Sequence, residues 1–191
     1  MKALEDKKLI LKIDKVAGII RKYIVGNDKT NDNIYEKIKE SGVDVFDMKN
    51  DLYDGACLWD KKSKKPIIFL DDSQGEDRKL FTLAHELGHL VLQYKWVPGQ
   101  KMKTLPEKAV LSVSFRDKDK NVDTEELGER VINEFAGAFL MPKSLVENLL
   151  EGVEDKNLRI KKVSEWFGVT GKAAKNRLTI LEKLNGWDGN Q

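Results

Sequence analysis

Cysteine is nearly missing from this chain. Cys57 is the only one, so no internal disulfide can form and a reducing cytoplasm is the expected setting. As a nucleophile Cys57 would need a histidine partner, and a plain buried thiol is the simpler reading. Histidine is almost as scarce, with two in 191 residues. Apolar runs of the roughly 20 residues that span a membrane are absent, and the longest candidates, such as Pro66–Leu70, are strand-sized. The N-terminal Met1–Lys8 carries some positive charge, but no apolar core or small-residue cleavage site follows, which argues against a signal peptide. Internal repeats and low-complexity segments are missing too. A formal net charge of +2 points to no class of partner.

What is present is a soluble globular composition, 40% hydrophobic and 35% charged, long enough for one domain with a small appendage. Residues 3–25 place Leu9, Ile13, Val16, Ile20 and Ile24 at helical spacing. Asn31 or Asp32 could cap a second helix through Ile34 and Ile38, ending at Ser41 and Gly42. Val43–Phe46 alternates like a strand. Gly55–Trp59 and Pro66–Leu70 read as a hairpin around the polar turn Asp60–Lys65. Asp77–Tyr94 is the strongest helical pattern, and a long connection over 95–123 holds one strand-like piece, Ala109–Phe115. A further helix runs from about Thr124 to Leu140 and stops at Met141 and Pro142, followed by two or three short helices. The expected fold is α+β with a small, mainly antiparallel sheet.

Both histidines fall in one motif, His85-Glu86-Leu87-Gly88-His89. Residues four apart share a helix face, so both imidazoles can reach one metal ion, while Glu86 lies beside it as a base for an activated water. Catalytic zinc takes three protein ligands, and no third histidine remains; position 95, where the extended motif would have one, is Lys. A carboxylate must therefore come from elsewhere, and the 124–140 helix offers Glu125, Glu126, Glu129 and Glu134. Glu129 shares a stripe with Ile132, Asn133, Ala136, Phe139 and Leu140. Glu134 lies about 140° away from Glu129 and is expected in solvent beside Arg130. A glutamate and an asparagine on an apolar stripe are costly unless something binds them. Glu129 as ligand, with Asn133 hydrogen-bonding a ligand histidine, meets both the need and the cost.

His85-Glu-Leu-Gly-His89 followed by Glu129-Arg-Val-Ile-Asn133-Glu-Phe135-Ala136-Gly-Ala-Phe-Leu140-Met141-Pro142 resembles the ImmA/IrrE metallopeptidases. That family shows HExGH and then Glu-x-x-Ala-Asn-x-Phe-Ala-x-x-Leu-Leu-Met-Pro. The chain departs from it with Ile132 for the usual Ala and Phe139 for the first Leu, both apolar. Arg78, Phe81, Thr82 and the Phe115-Arg-Asp117 segment also look like family features. The resemblance covers about residues 30–142, with a continuation to 184 expected, and implies a gluzincin-like zinc endopeptidase with one Zn²⁺ per chain, held by His85, His89 and Glu129. It further implies a protein substrate, a helix-turn-helix repressor whose cleavage derepresses genes of phages, mobile elements or stress responses. Oxyanion or substrate contacts would come from Tyr94, Arg116 or Tyr53. An extended substrate is expected to add to the edge of the hairpin.

Ile160–Leu178 resembles a helix-turn-helix, with Gly168 opening the turn and Thr170 capping the second helix. Between Lys156 and Lys183 eight Lys or Arg face two acidic residues. Nucleic-acid contact is the less favoured reading; packing through Val163, Trp166, Phe167, Leu178 and Leu181 is preferred, with Lys172, Lys175 and Arg177 exposed. The division expected is a metallopeptidase domain over 1–152 and a basic helical extension over 153–187 packed on it. The rival reading, from another class, is a regulatory DNA- or protein-binding module whose metal site is structural or sensing.

Overall fold

A computed structural model describes residues 2–99, 109–115 and 123–188. Among the described residues seven helices and four strands follow one another. They are α1 (Lys2–Ile24), α2 (Ile34–Glu40), β1 (Asp44–Met48), β2 (Tyr53–Asp60), β3 (Lys65–Asp71), α3 (Glu76–Leu92), β4 (Val110–Phe115), α4 (Asp123–Leu140), α5 (Lys143–Leu149), α6 (Lys156–Phe167) and α7 (Gly171–Asp188). The architecture is α+β. Among the described residues no helix is long and apolar enough to cross a membrane.

The sheet order is β1-β3-β2-β4. β2 and β3 form the hairpin, turned by Asp60, whose carboxylate accepts from the backbone N–H of Lys62 (3.0 Å) and Ser63 (3.1 Å). β4 pairs with β2 antiparallel and β1 pairs with β3 in parallel, so the sheet is mixed, with two of its three pairings antiparallel. The reason is topological: β1 lies beside β3, not beside its sequence neighbour β2, and the hairpin has already reversed the chain once. Both edges of the hairpin are therefore covered, and the outer edge next to β2 belongs to β4.

One sheet face carries Val45, Cys57, Trp59, Ile68 and Leu70, all buried, and α3 packs on it. Gly55 is what lets α3 come so close, since a Cβ there would stand 2.5 Å from Thr82 Cγ2. The other face of α3 meets α4, where a Cβ on Gly88 would stand 3.0 Å from Phe135 Cδ1 and 3.1 Å from Ile132 Cγ2. These two glycines set the depth at which α3 is sandwiched between the sheet and α4.

The end of α4 is held by side chains from distant parts of the chain. Arg21 donates to the Phe139 carbonyl (2.9 Å), Asn31 to those of Leu140 (3.2 Å) and Phe167 (2.8 Å), and Arg177 to that of Met141 (3.0 Å). Carbonyls at a helix C-terminus lack intrahelical partners, so these donors satisfy them while locking α1, α4, α6 and α7 together. Asn31 is thus a tertiary tie and does not cap α2; the residue before α2 is Asn33, in the left-handed conformation with no capping side chain. In α1 the buried stripe is Ile10, Ile13, Ala17, Ile20 and Ile24, one residue off the expected start, and Leu9 is exposed.

Gly168 ends α6 in the left-handed conformation, φ 63°, and the Thr170 hydroxyl accepts from the Ala173 N–H (3.0 Å) at the start of α7. Val163, Phe167, Leu178, Leu181 and Leu184 belong to the same core cluster as α3 and α4. Two expectations fail here. Trp166 is 46% exposed, its indole N–H donating to the Lys29 carbonyl (3.2 Å). Arg177 is 3% exposed and makes a two-bond ion pair with Asp14 (2.8 and 3.2 Å). The apolar face of α7 is wide enough to take Arg177 in because Asp14 and the Met141 carbonyl match its donors.

Candidate metal centre

His85 and His89 stand one turn apart in the buried middle of α3, and Glu129 reaches them from α4. The two Nε2 atoms are 3.2 Å apart. Glu129 Oε2 lies 3.4 Å from His85 Nε2, and Oε1 lies 3.8 Å from His89 Nε2. One ligand atom from each of the three falls within 4.8 Å of the others, the only such group of three among the described residues.

The far side of each ring explains why Nε2 is available. His85 Nδ1 is 2.9 Å from Asn133 Oδ1, and His89 Nδ1 is 3.0 Å from Gln93 Oε1. An amide oxygen only accepts, so each Nδ1 carries the proton and each Nε2 is left with its lone pair. Two lone pairs facing each other beside a carboxylate repel unless a cation lies between them. The donor set therefore fits a divalent ion of the zinc type, with an outer amide orienting each imidazole. Burial alone would depress the His85 pKa, but the hydrogen bond and charge of Glu129, with Glu86, outweigh it and raise the value. The same negative field would attract a metal cation. Gln93 has a signal in the sequence after the fact, being four residues beyond His89 on one helix face.

Glu86 is fully buried on the side of α3 that faces the sheet. Its carboxylate accepts from Ser112 Oγ (2.5 Å, at Oε2) and from Ser114 Oγ (at Oε1), both on β4. Sequence reasoning does not find these serines, because they lie 26 and 28 residues away on an element whose register is unknown beforehand. Cys57 is buried on the adjacent strand, and burial together with the charge of Glu86 pushes its thiol pKa up, leaving it an inert core residue.

Tyr94 donates its hydroxyl to the Leu111 carbonyl (2.9 Å), tying the end of α3 to β4. Tyr53 begins β2 opposite Phe115. Neither lines the cleft of about 240 Å³ beside His85, which Arg78, Thr82 and Ser114 do. Arg116 lies outside the described residues. Asn133 is exposed overall although its amide holds His85. Glu134 is half-buried rather than solvated: it lines a cavity with Arg177 and Ile180 of α7, and burial raises its pKa against the opposing charges of Arg177 and Arg130.

The family model of the IrrE N-terminal-like domain, peptidase M78, matches residues 38–179. The chain belongs to the ImmA/IrrE family. Its members are metallo-type peptidases, so a peptidase with a protein substrate is the activity class. The match takes in α3, α4 and all of α6, and it runs into α7 beyond Arg177. No curated protein matches the chain.

Proposed function

We propose that the chain is a zinc-dependent endopeptidase that cleaves a helix-turn-helix repressor, with a catalytic unit over 1–152 and the helical extension over 153–187 packed on it. The observation that carries this reading is the convergence of His85, His89 and Glu129, each imidazole Nδ1 within hydrogen-bond distance of a side-chain amide oxygen, next to the buried carboxylate of Glu86. His85, His89 and Glu129 would hold the ion, and bound there it supplies Lewis acidity, lowering the pKa of a water toward about 7 and polarising the scissile carbonyl.

The remaining steps belong to the chain's own side chains. Glu86 takes the proton of the attacking water and returns it to the leaving amine. Ser112 and Ser114 hold its two oxygens in one orientation, so that no rotamer search precedes the transfer. Among the described residues β4 is one edge of the sheet and carries those serines, so an extended peptide pairing with its outer side would run along the cleft. Main-chain pairing of this kind binds many sequences.

The test is Glu86→Gln in the full chain, incubated with helix-turn-helix repressor proteins and with unstructured test peptides. Metal content should stay at about one ion per chain while cleavage falls by roughly 10²–10⁴-fold, the usual worth of a general base. A module that uses the metal only for structure or sensing would lose nothing, and equal effects of wild type and variant would decide for that reading.

A further inference from the structure

The cleft beside His85 does not end at Asn133. It opens into a second cavity of about 590 Å³ between α3, α4 and α7, and the two share Arg78, Phe81 and Asn133. Phe81 from α3, Gly137 from α4, and Ala173 and Ile180 from α7 form its apolar part. Nothing larger than alanine stands at 137 or 173, and even a Cβ at 137 would meet only Arg177 Cδ, at 3.8 Å. The space is therefore kept open by small residues on two facing helices.

Charge around this cavity is uneven. Arg78 and Lys172 stand on its wall; Arg78 is paired with Asp54 (2.6 Å), whereas Lys172 is exposed and has no ion pair among the described residues. Arg177 is matched by Asp14. Among the described residues Glu134 is the one carboxylate lining the cavity, and burial disfavours its ionised form. An apolar floor with one cation, Lys172, left unmatched at the rim suits a ligand that offers apolar surface and a negative charge together. A volume of this size lies in the range of about 300–1,000 Å³ typical of pockets that enclose a whole ligand rather than one side chain.

We propose that this cavity is a substrate subsite beside the scissile bond, built with α7 as one wall, and that it takes a short peptide stretch pairing a bulky apolar residue with an acidic one. The inference rests on the peptidase reading above. The apolar side chain lies over Phe81, Ala173 and Ile180, and the neighbouring carboxylate meets Lys172. The C-terminal helices then contribute directly to substrate selection, and the sequence preference that main-chain pairing along β4 cannot supply comes from α7.

The experiment uses the zinc-loaded full chain and quenched fluorescent peptide pools, each varied at one position on either side of the cut. Wild type should favour leucine, methionine or phenylalanine over alanine at one such position by roughly tenfold or more in kcat/KM. It should also favour Asp or Glu over Lys at a neighbouring one. Ala173→Phe should erase the first preference, and Ile180→Ala should move it toward larger side chains, so two variants of opposite sense report on the same space. Lys172→Glu should invert the charge preference. Metal content and circular dichroism identify any variant that has not folded. Either preference left at its wild-type ratio in the folded variants overturns the assignment and leaves the peptidase reading standing. If wild type and Glu86→Gln are equally inert on every pool, the peptidase reading fails and the subsite with it.

Discussion

Glu129 and Glu134 sit on one helix five residues apart and serve different neighbours. Glu129 faces α3 and comes within ion-pair distance of both imidazoles, while Glu134 faces α7. Glu129→Ala should therefore abolish metal retention and Glu134→Ala should not, as metal analysis of the purified variants will show. Asn133→Ala and Gln93→Ala should each weaken metal affinity by about 10–100-fold, since each removes the acceptor that fixes a histidine tautomer. Glu134 makes a separate prediction about pH. Its folded-state pKa is raised, burial being the largest cause, so the ionised form opposes folding and its protonation favours the fold. Relative to wild type, Glu134→Gln should be more stable at pH 7. The difference should close as pH falls through the carboxylate range and wild type becomes protonated too. Denaturant titrations at several pH values measure it.

At the scale of elements, the site is a meeting of α3, α4 and β4, and its spacing is set by what is small. Gly55 and Gly88 remove the two Cβ atoms that would hold α3 away from the sheet and from α4. That closeness is what brings Glu86 within reach of Ser112 and Ser114. Replacing both serines by alanine should leave metal content intact and lower kcat by roughly tenfold or more, because each removes a hydrogen bond to a charged group worth about 1.5–3 kcal/mol. A change in KM alone would place the serines in substrate binding and not in holding Glu86. The helix α3 was legible in the residues from its apolar stripe, and so was the hairpin from its β-rich runs around a polar turn. The position of β1 was not, because alternation in a five-residue strand says nothing about which neighbour it chooses.

For the molecule as a whole, the C-terminal helices are not detachable in energetic terms. Val163, Phe167, Leu178, Leu181 and Leu184 lie in one cluster with the residues of α3 and α4, and Arg177 ties α7 to α1 and to the end of α4. Burial of each such side chain is worth about 1.5–3 kcal/mol, so together they rival the 5–15 kcal/mol that stabilises an ordinary domain. Truncation after Glu151 should consequently give a chain without a cooperative thermal transition and without bound metal, checked by calorimetry and metal analysis. A folded, metal-loaded fragment would overturn this and show that the cluster divides at that point.

The residues by themselves determined the local facts: a helix from 3.6-residue periodicity, two imidazoles on one face from their spacing of four, and a carboxylate needed because no third histidine exists. They also carried the family, since a motif is a property of the chain. Only the tertiary structure decided what depends on distant elements meeting. It put Arg177 inside, against Asp14 163 residues away, left Trp166 outside, and turned Glu134 toward α7. It chose Gln93 and the serines of β4 as the partners of His89 and Glu86, and it opened a cavity between α4 and α7. Periodicity reports which face of an element is apolar; which polar groups that face can also take in depends on the donors and acceptors of another element, and those become neighbours only when the chain has folded.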